Sequence, residues 1–444
     1  MLLTFKGSNF KSFGDTFEFN MVPERISELS YSVLKEKIAG KQVRALSASV
    51  IYGPNAAGKT SIINAMSCFR GILQKGTIQN SETDRSEDHV SADMSLIPFK
   101  FARDEKPVEF DITFTSDGLK IRYAIAFRLG RFLAEDAERA ISNEELWVND
   151  SCIFVRRQSD VAELHLQTIR KYLNAGVSMS EADEIRRMMS GNIVKDSLLL
   201  TTDFNSFCSK RLVQIITGWM SKKFMVINSA NHTAFWPVQK EGSAVSDNYL
   251  NRVAQQAGII GSEFAYVTGA DKKQRLFSMF EDKDSKAAGI DAHLIESVGT
   301  IRLIEIMPAI LIALEQGATL VMDEFDASLH PSIVKNIIGI FHNNEINTNH
   351  AQLIFNSQNP IYLNSKVFRR DEIKFVQRNE DTRSSELYAL SDFRTNGGDV
   401  SVRKTTDYMK NYFVDRYGAI LDIDFSDIMK EMMEKREQRD EWNG

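Results

Sequence analysis

The chain has 444 residues, 43% of them hydrophobic and 26% charged, with a formal net charge of −6 and three cysteines. These proportions sit near the average of globular proteins and exclude a disordered or fibrous chain. At about 100–200 residues per domain the length implies two or three lobes, and the acidic balance removes total charge as an argument for nucleic-acid binding.

The opening MLLTFKGSNF turns polar too early for a signal peptide. No run of about 18 apolar residues appears anywhere, so a cytoplasmic location with no membrane partner is expected. Cys68, Cys152 and Cys208 lie far apart without a CxxC pair, which argues against zinc or a disulfide framework. Lys210-Arg211, Lys222-Lys223 and Lys272-Lys273 with Arg275 read as ordinary solvated charge.

In chain order, LLTFKGSNFKSFGDTFEFN alternates like a strand pair turning at Gly14-Asp15. LSASVIY, from Leu46 to Tyr52, is a short buried strand that runs straight into YGPNAAGKTS. Beyond it Ile62, Ile63, Met66, Phe69 and Leu73 recur at helical spacing, so Lys59 and Thr60 sit on the first turn of a helix. The polar stretch from Gln74 to Asp93 reads as a long exposed loop.

PVEFDITFTSDGLKIRYAIAF alternates again, with Ser116-Asp117-Gly118 as the turn of an antiparallel subdomain. QTIRKYL, EADEIRRMM and RLVQIITGWMSKKF favour helices without a sustained heptad, which predicts a helical insertion. Next come IRLIEIMPAILIAL, a helix broken or bent near Pro308, and the parallel-strand candidates ATLVM and QLIF. A charged helical tail closes the chain.

Gly53, Gly58, Lys59 and Thr60 fit GxxxxGK[ST]. In that turn, which runs from Gly53 through Pro54, the backbone N–H groups of Asn55, Ala56, Ala57 and their neighbours through Ser61 cradle phosphates. The lysine reaches the β and γ oxygens, and the threonine hydroxyl binds Mg²⁺. A strand before and a helix after make the match specific. ATLVMDEFD supplies the other half: Asp323 at a strand end as the second Mg²⁺ anchor, and Glu324 to polarise the attacking water. No N/T-K-x-D guanine signature appears, so ATP is preferred to GTP. His330 precedes Pro331 and reads first as a helix cap.

The segment DEFDASLHP, Asp323 to Pro331, resembles the Walker B and D-loop of RecF, SMC and OLD-type ATPases. ESVGTIRL, Glu296 to Leu303, resembles their degenerate signature, and NFKSF, Asn9 to Phe13, their opening element. RRDEIKFV, SELYALSDF and YFVDRYGAI resemble the tail of AAA-like ATPases from bacterial abortive-infection and phage-defence operons, including the RloA type and the ATPase of PARIS systems. The resemblance runs from residue 1 to about 424 and is weakest between about 160 and 290.

It implies an α/β fold, an ABC/SMC-like P-loop ATPase head with an antiparallel β subdomain and a helical insertion. The expected division is 1–135 for an N-terminal lobe, 136–290 for the insertion, 291–424 for a C-terminal lobe and 425–444 for the tail. It implies nucleotide contacts from Asn9 and Lys11, and a signature at Ser297 and Gly299 that completes the site of a second subunit. Asp326 would communicate across that interface. Where the family usually carries a γ-phosphate-sensing histidine this chain has Gln358, which can donate a hydrogen bond but carries no charge. Slow hydrolysis and a long-lived ATP state are therefore expected.

The implied function is an ATP-hydrolysing sensor, at least a dimer, that responds to a phage-derived trigger and controls a separate effector of the nuclease class. A RecF-like repair ATPase acting directly on DNA is the alternative. A transporter subunit is disfavoured by the unusual signature and the large insertion.

Overall fold

The computed structural model describes residues 1–26, 28–79, 96–130, 138–228, 244–246, 248–271, 274–281, 287–393, 406–420 and 424–443. Three layers position the site. The first is a seven-stranded antiparallel sheet ordered Asp160–Leu164, Ser151–Arg157, Ala140–Val148, Leu119–Arg128, Val108–Ser116, Leu2–Ser8 and Phe17–Asn20. Its tight turns follow their residues: Asp117 (φ 49°) and Gly118 (φ 73°) link one hairpin, Asn149 (φ 50°) and Asp150 (φ 66°) the next. Asn, Asp and Gly tolerate that left-handed backbone best, and it matches the strand twist.

The second layer is a six-stranded sheet ordered Phe224–Ile227, Thr319–Met322, Gln352–Asn356, Ala48–Tyr52, Ile373–Arg378 and Ser385–Ala389. All neighbours are parallel except the last pair. Such strands are covered on both faces, hence their unbroken apolar sequences. Ile51, Val321 and Ile354 face one side, where helix Lys59–Lys75 fills the space up to the antiparallel sheet through Ile62, Met66 and Phe69. Phe69 meets Phe5 of that sheet edge-on at 5.8 Å between ring centroids. Val50, Tyr52, Leu320 and Phe355 face the other side, against helices Val298–Gln316 and Pro331–His342. A four-stranded antiparallel sheet of residues 244–246, 263–268, 274–281 and 287–291 precedes these helices in sequence and adds Phe264, Tyr266 and Leu276 to the same core.

Two expectations change. The segment 136–290 is helical mainly between residues 167 and 223. Its beginning, 140–164, continues the antiparallel sheet, its strand Phe224–Ile227 joins the parallel sheet, and most of its end is the four-stranded sheet. Pairing with neighbouring strands overrides the weak helical periodicity there. The helix Val298–Gln316 runs through Pro308 without a break and ends on Gly317, whose left-handed backbone (φ 62°) caps Ala313. Helix Lys59–Lys75 carries further than the sequence suggests, and most of the loop expected after it lies outside the described residues. The tail forms helix Ser426–Asn443.

Candidate nucleotide site

Strand Ala48–Tyr52 ends in the sheet and hands the chain to a turn only glycine can make at two points. Gly53 (φ 153°) lies against the Val376 carbonyl, where a Cβ would collide with it. Gly58 (φ 117°) is closed in by the hydroxyls of Ser12 and Ser385. Any side chain at either position meets a steric block as well as an unfavourable backbone. Ser385 Oγ also donates to the Ala57 carbonyl, and Ser12 Oγ donates to Ser61 Oγ at 3.0 Å. The loop is thus held from outside by both sheets.

Pro54, Asn55, Ala56, Gly58, Lys59, Thr60 and Ser61 line a cavity of about 750 Å³ with Ser12, Glu324, Asp326 and Gln358. Gly53 and Ala57 shape the turn from behind. Lys59 is buried, and its ammonium donates to the carbonyls of Gly53 at 2.6 Å and Pro54 at 3.0 Å. Burial pushes its pKa below the ordinary lysine range, against the opposing pull of Asp323 and Glu324. An ammonium resting on two loop carbonyls is placed to exchange them for phosphate oxygens.

The Thr60 hydroxyl lies 3.2 Å from Asp323 Oδ1. Asp323 is buried at the end of strand Thr319–Met322, while Glu324, the next residue, is exposed to the cavity with a left-handed backbone (φ 49°). Such a backbone costs a non-glycine residue about 1–3 kcal/mol and persists only where its surroundings hold it. Asn356 does so: its Oδ1 accepts the Glu324 N–H at 2.5 Å, and its Nδ2 donates to Asp323 Oδ1. Beside it Ser357 Oγ donates to Asp326 Oδ2 at 2.6 Å, and burial raises the Asp326 carboxyl pKa. Gln358 is exposed at the cavity edge.

The opening element is placed differently from expectation. Asn9 is buried and structural, its Nδ2 donating to the Lys106 carbonyl at 2.7 Å. Lys11 is absent from the cavity lining, its ammonium 5.7 Å from the Phe10 ring centre. Ser12 of the same element is the residue that reaches the loop. Ser297 and Gly299 stand outside their own chain's cavity. Ser297 caps helix Val298–Gln316 by accepting from the Thr300 N–H at 3.1 Å. A Cβ on Gly299 would lie 2.5 Å from the Ser328 carbonyl oxygen, so this helix packs directly on the D-loop-like turn. His330 is a cap, its Nδ1 accepting from Ser332 N–H at 3.2 Å.

Asn356 was not legible as a functional residue, although a polar side chain at the end of a wholly buried strand is a signal of that kind. No disulfide joins Cys68, Cys152 and Cys208, and no cluster of three or more His, Cys, Asp or Glu occurs among the described residues. Among them no helix is long and apolar enough to cross a membrane.

The loop cradle, the lysine and the Thr60–Asp323 pair fit a nucleoside triphosphate with a divalent cation: a hydroxyl and a carboxylate converge beside an anion-binding turn. A family model described as "AAA domain, putative AbiEii toxin, Type IV TA system" matches residues 48–167 and 223–364. The chain is similar to the SMC head domain from Thermotoga maritima, at 14% identity and a TM-score of 0.36, over 87% of this chain and 98% of that one. It is also similar to the SmcHead bound to the C-winged helix domain of ScpA, at 12% identity and a TM-score of 0.38, over 87% and 97% of the two chains. No protein of curated function matches.

Proposed function

We propose a switching role for this chain, which belongs to the AAA domain family described under the AbiEii toxin of type IV TA systems. It is an ATPase. In our reading ATP closes two copies on one another, and hydrolysis or an invader-derived trigger releases a separate effector of the nuclease class during phage defence.

The observation that carries the site is the meeting of Thr60, Asp323 and Asn356 beside Lys59. The triphosphate lies in the turn Gly53–Ser61, and Lys59 leaves the carbonyls of Gly53 and Pro54 for the β and γ oxygens. Thr60 and Asp323 would hold Mg²⁺, which would neutralise charge developing on the phosphates. Glu324 orients the attacking water and takes its proton. Gln358 donates its amide toward the γ-phosphate, and the absence of a titrating side chain there favours slow turnover.

A second copy supplies what this cavity lacks. Ser297 opens a nineteen-residue helix whose N-terminal dipole favours an anion, yet it does not line its own chain's cavity. Around it Leu294, Ile295 and Val298 are 77%, 52% and 70% exposed, a patch suited to being covered.

The test is complementation. Ser297→Arg and Lys59→Ala chains should each fail to hydrolyse ATP alone. Mixed, they should recover turnover, because one composite site then has an intact loop and an intact signature. No recovery, or full activity of Ser297→Arg alone, refutes the shared site. For the defence role, cells carrying this gene with its neighbours should lose protection against phage when Lys59 is changed to Ala; undiminished protection would refute it.

A further inference from the structure

We propose that Arg302 is a positioning residue for Glu324, acting within its own chain from the helix that Ser297 opens. This rests on the assignment of Glu324 as the residue that activates water.

The peptide groups flanking Glu324 are gripped from two sides. Its N–H is held by Asn356 at 2.5 Å, and its carbonyl lies 3.3 Å from the Arg302 guanidinium Nη2. Asn356 belongs to the strand beside Asp323, whereas Arg302 belongs to helix Val298–Gln316. The left-handed backbone at Glu324 aims its side chain into the cavity only while both grips hold. Arg302 is itself buried, so its charge acts on the adjacent carbonyl in a poorly solvated setting where a charge-assisted hydrogen bond is strong.

The same helix touches the turn a second time, two residues after its cap Ser297, where Gly299 packs on the Ser328 carbonyl. Contact at residues 324 and 328 makes the helix and the turn move together. Whatever engages Ser297 from outside therefore reaches the carboxylate of the chain that owns the helix, in addition to the nucleotide of its partner.

The experiment measures ATP hydrolysis and nucleotide binding by the full chain carrying Arg302→Met. Turnover should fall about 10- to 100-fold, the scale of a displaced reacting group, with the Kd for ATP within about twofold of wild type, and Arg302→Lys should recover part of the loss. Mixed with Lys59→Ala chains, Arg302→Met should show no recovery, unlike Ser297→Arg, because Arg302 and Glu324 are on the same chain. Wild-type turnover, a matching loss of binding, or recovery in the mixture would each overturn the inference. If Arg302→Met does not fold, Arg302→Lys carries the binding and mixing arms, with a smaller but measurable fall in turnover. Unimpaired hydrolysis by Glu324→Gln would sink the assignment of the carboxylate, and this inference with it.

Discussion

The Thr60 hydroxyl and the Asp323 carboxylate stand 3.2 Å apart although 263 residues of chain separate them. The loop that cradles phosphate and the strand that carries the acids therefore form one pocket. Chemistry assigned to either segment depends on the other.

Replacing Lys59 with alanine removes the buried ammonium that faces the triphosphate. A hydrogen bond to a charged group contributes about 1.5–3 kcal/mol, so ATP affinity should fall about 10- to 150-fold. Titration calorimetry measures it, and an unchanged Kd would remove Lys59 from the site.

Glu324→Gln keeps the shape of the side chain and removes its basicity. ATP should bind as in wild type while turnover drops about 10²- to 10⁴-fold. A filter assay for retained nucleotide after long incubation separates a trapped complex from a defective binder.

Asn356→Ala strips the Glu324 N–H of its acceptor and Asp323 of a donor. Leaving such buried groups unmade costs about 1–3 kcal/mol, which denaturant unfolding should register alongside impaired hydrolysis. Stability and turnover both at wild-type values would contradict the bridge.

Burial depresses the Lys59 pKa, with Asp323 and Glu324 only partly offsetting it. Binding needs the protonated form, so ATP affinity should weaken with rising pH, beginning below the range where an exposed lysine deprotonates. Lys59→Arg, which stays charged throughout, should flatten that alkaline limb. An identical limb in both proteins would assign the effect elsewhere.

Gly317→Ala serves as a control remote from the pocket. Gly317 has φ 62° and a Cβ there would collide with the Asn349 carbonyl. A loss of at least about 1 kcal/mol of stability is expected, with ATP affinity unaltered. Calorimetric melting and a binding titration test the two halves.

The phosphate loop and the acidic pair were legible because each couples a local pattern to a physical demand: glycines for close approach, carboxylates at the end of a buried strand. Gly53 and Gly58 bear this out through Val376, Ser12 and Ser385, which no local pattern reveals. Asn356 escaped notice because its role comes from the strand lying beside Thr319–Met322, a relation of order in the sheet. Asn9 and Lys11 belong to an element in which Ser12 makes the contact, since a motif marks a turn more readily than it tells which side chain points inward. Residues 140–164, 224–227, 263–268 and 274–281, inside the expected helical insertion, form mostly strands because pairing with neighbouring strands decides their state.

Strand Ala48–Tyr52 has both its lateral neighbours, Gln352–Asn356 and Ile373–Arg378, far downstream of it in the chain. During synthesis the glycine turn leaves the ribosome with Ser12 already made but long before the two strands that flank it. Nascent chains shorter than about 380 residues should be blind to ATP, and prematurely stopped copies harmless as decoys. Loop closure over such a span makes acquisition of the pocket a late and slow event, so a cell obtains a responsive molecule only once those strands have been made.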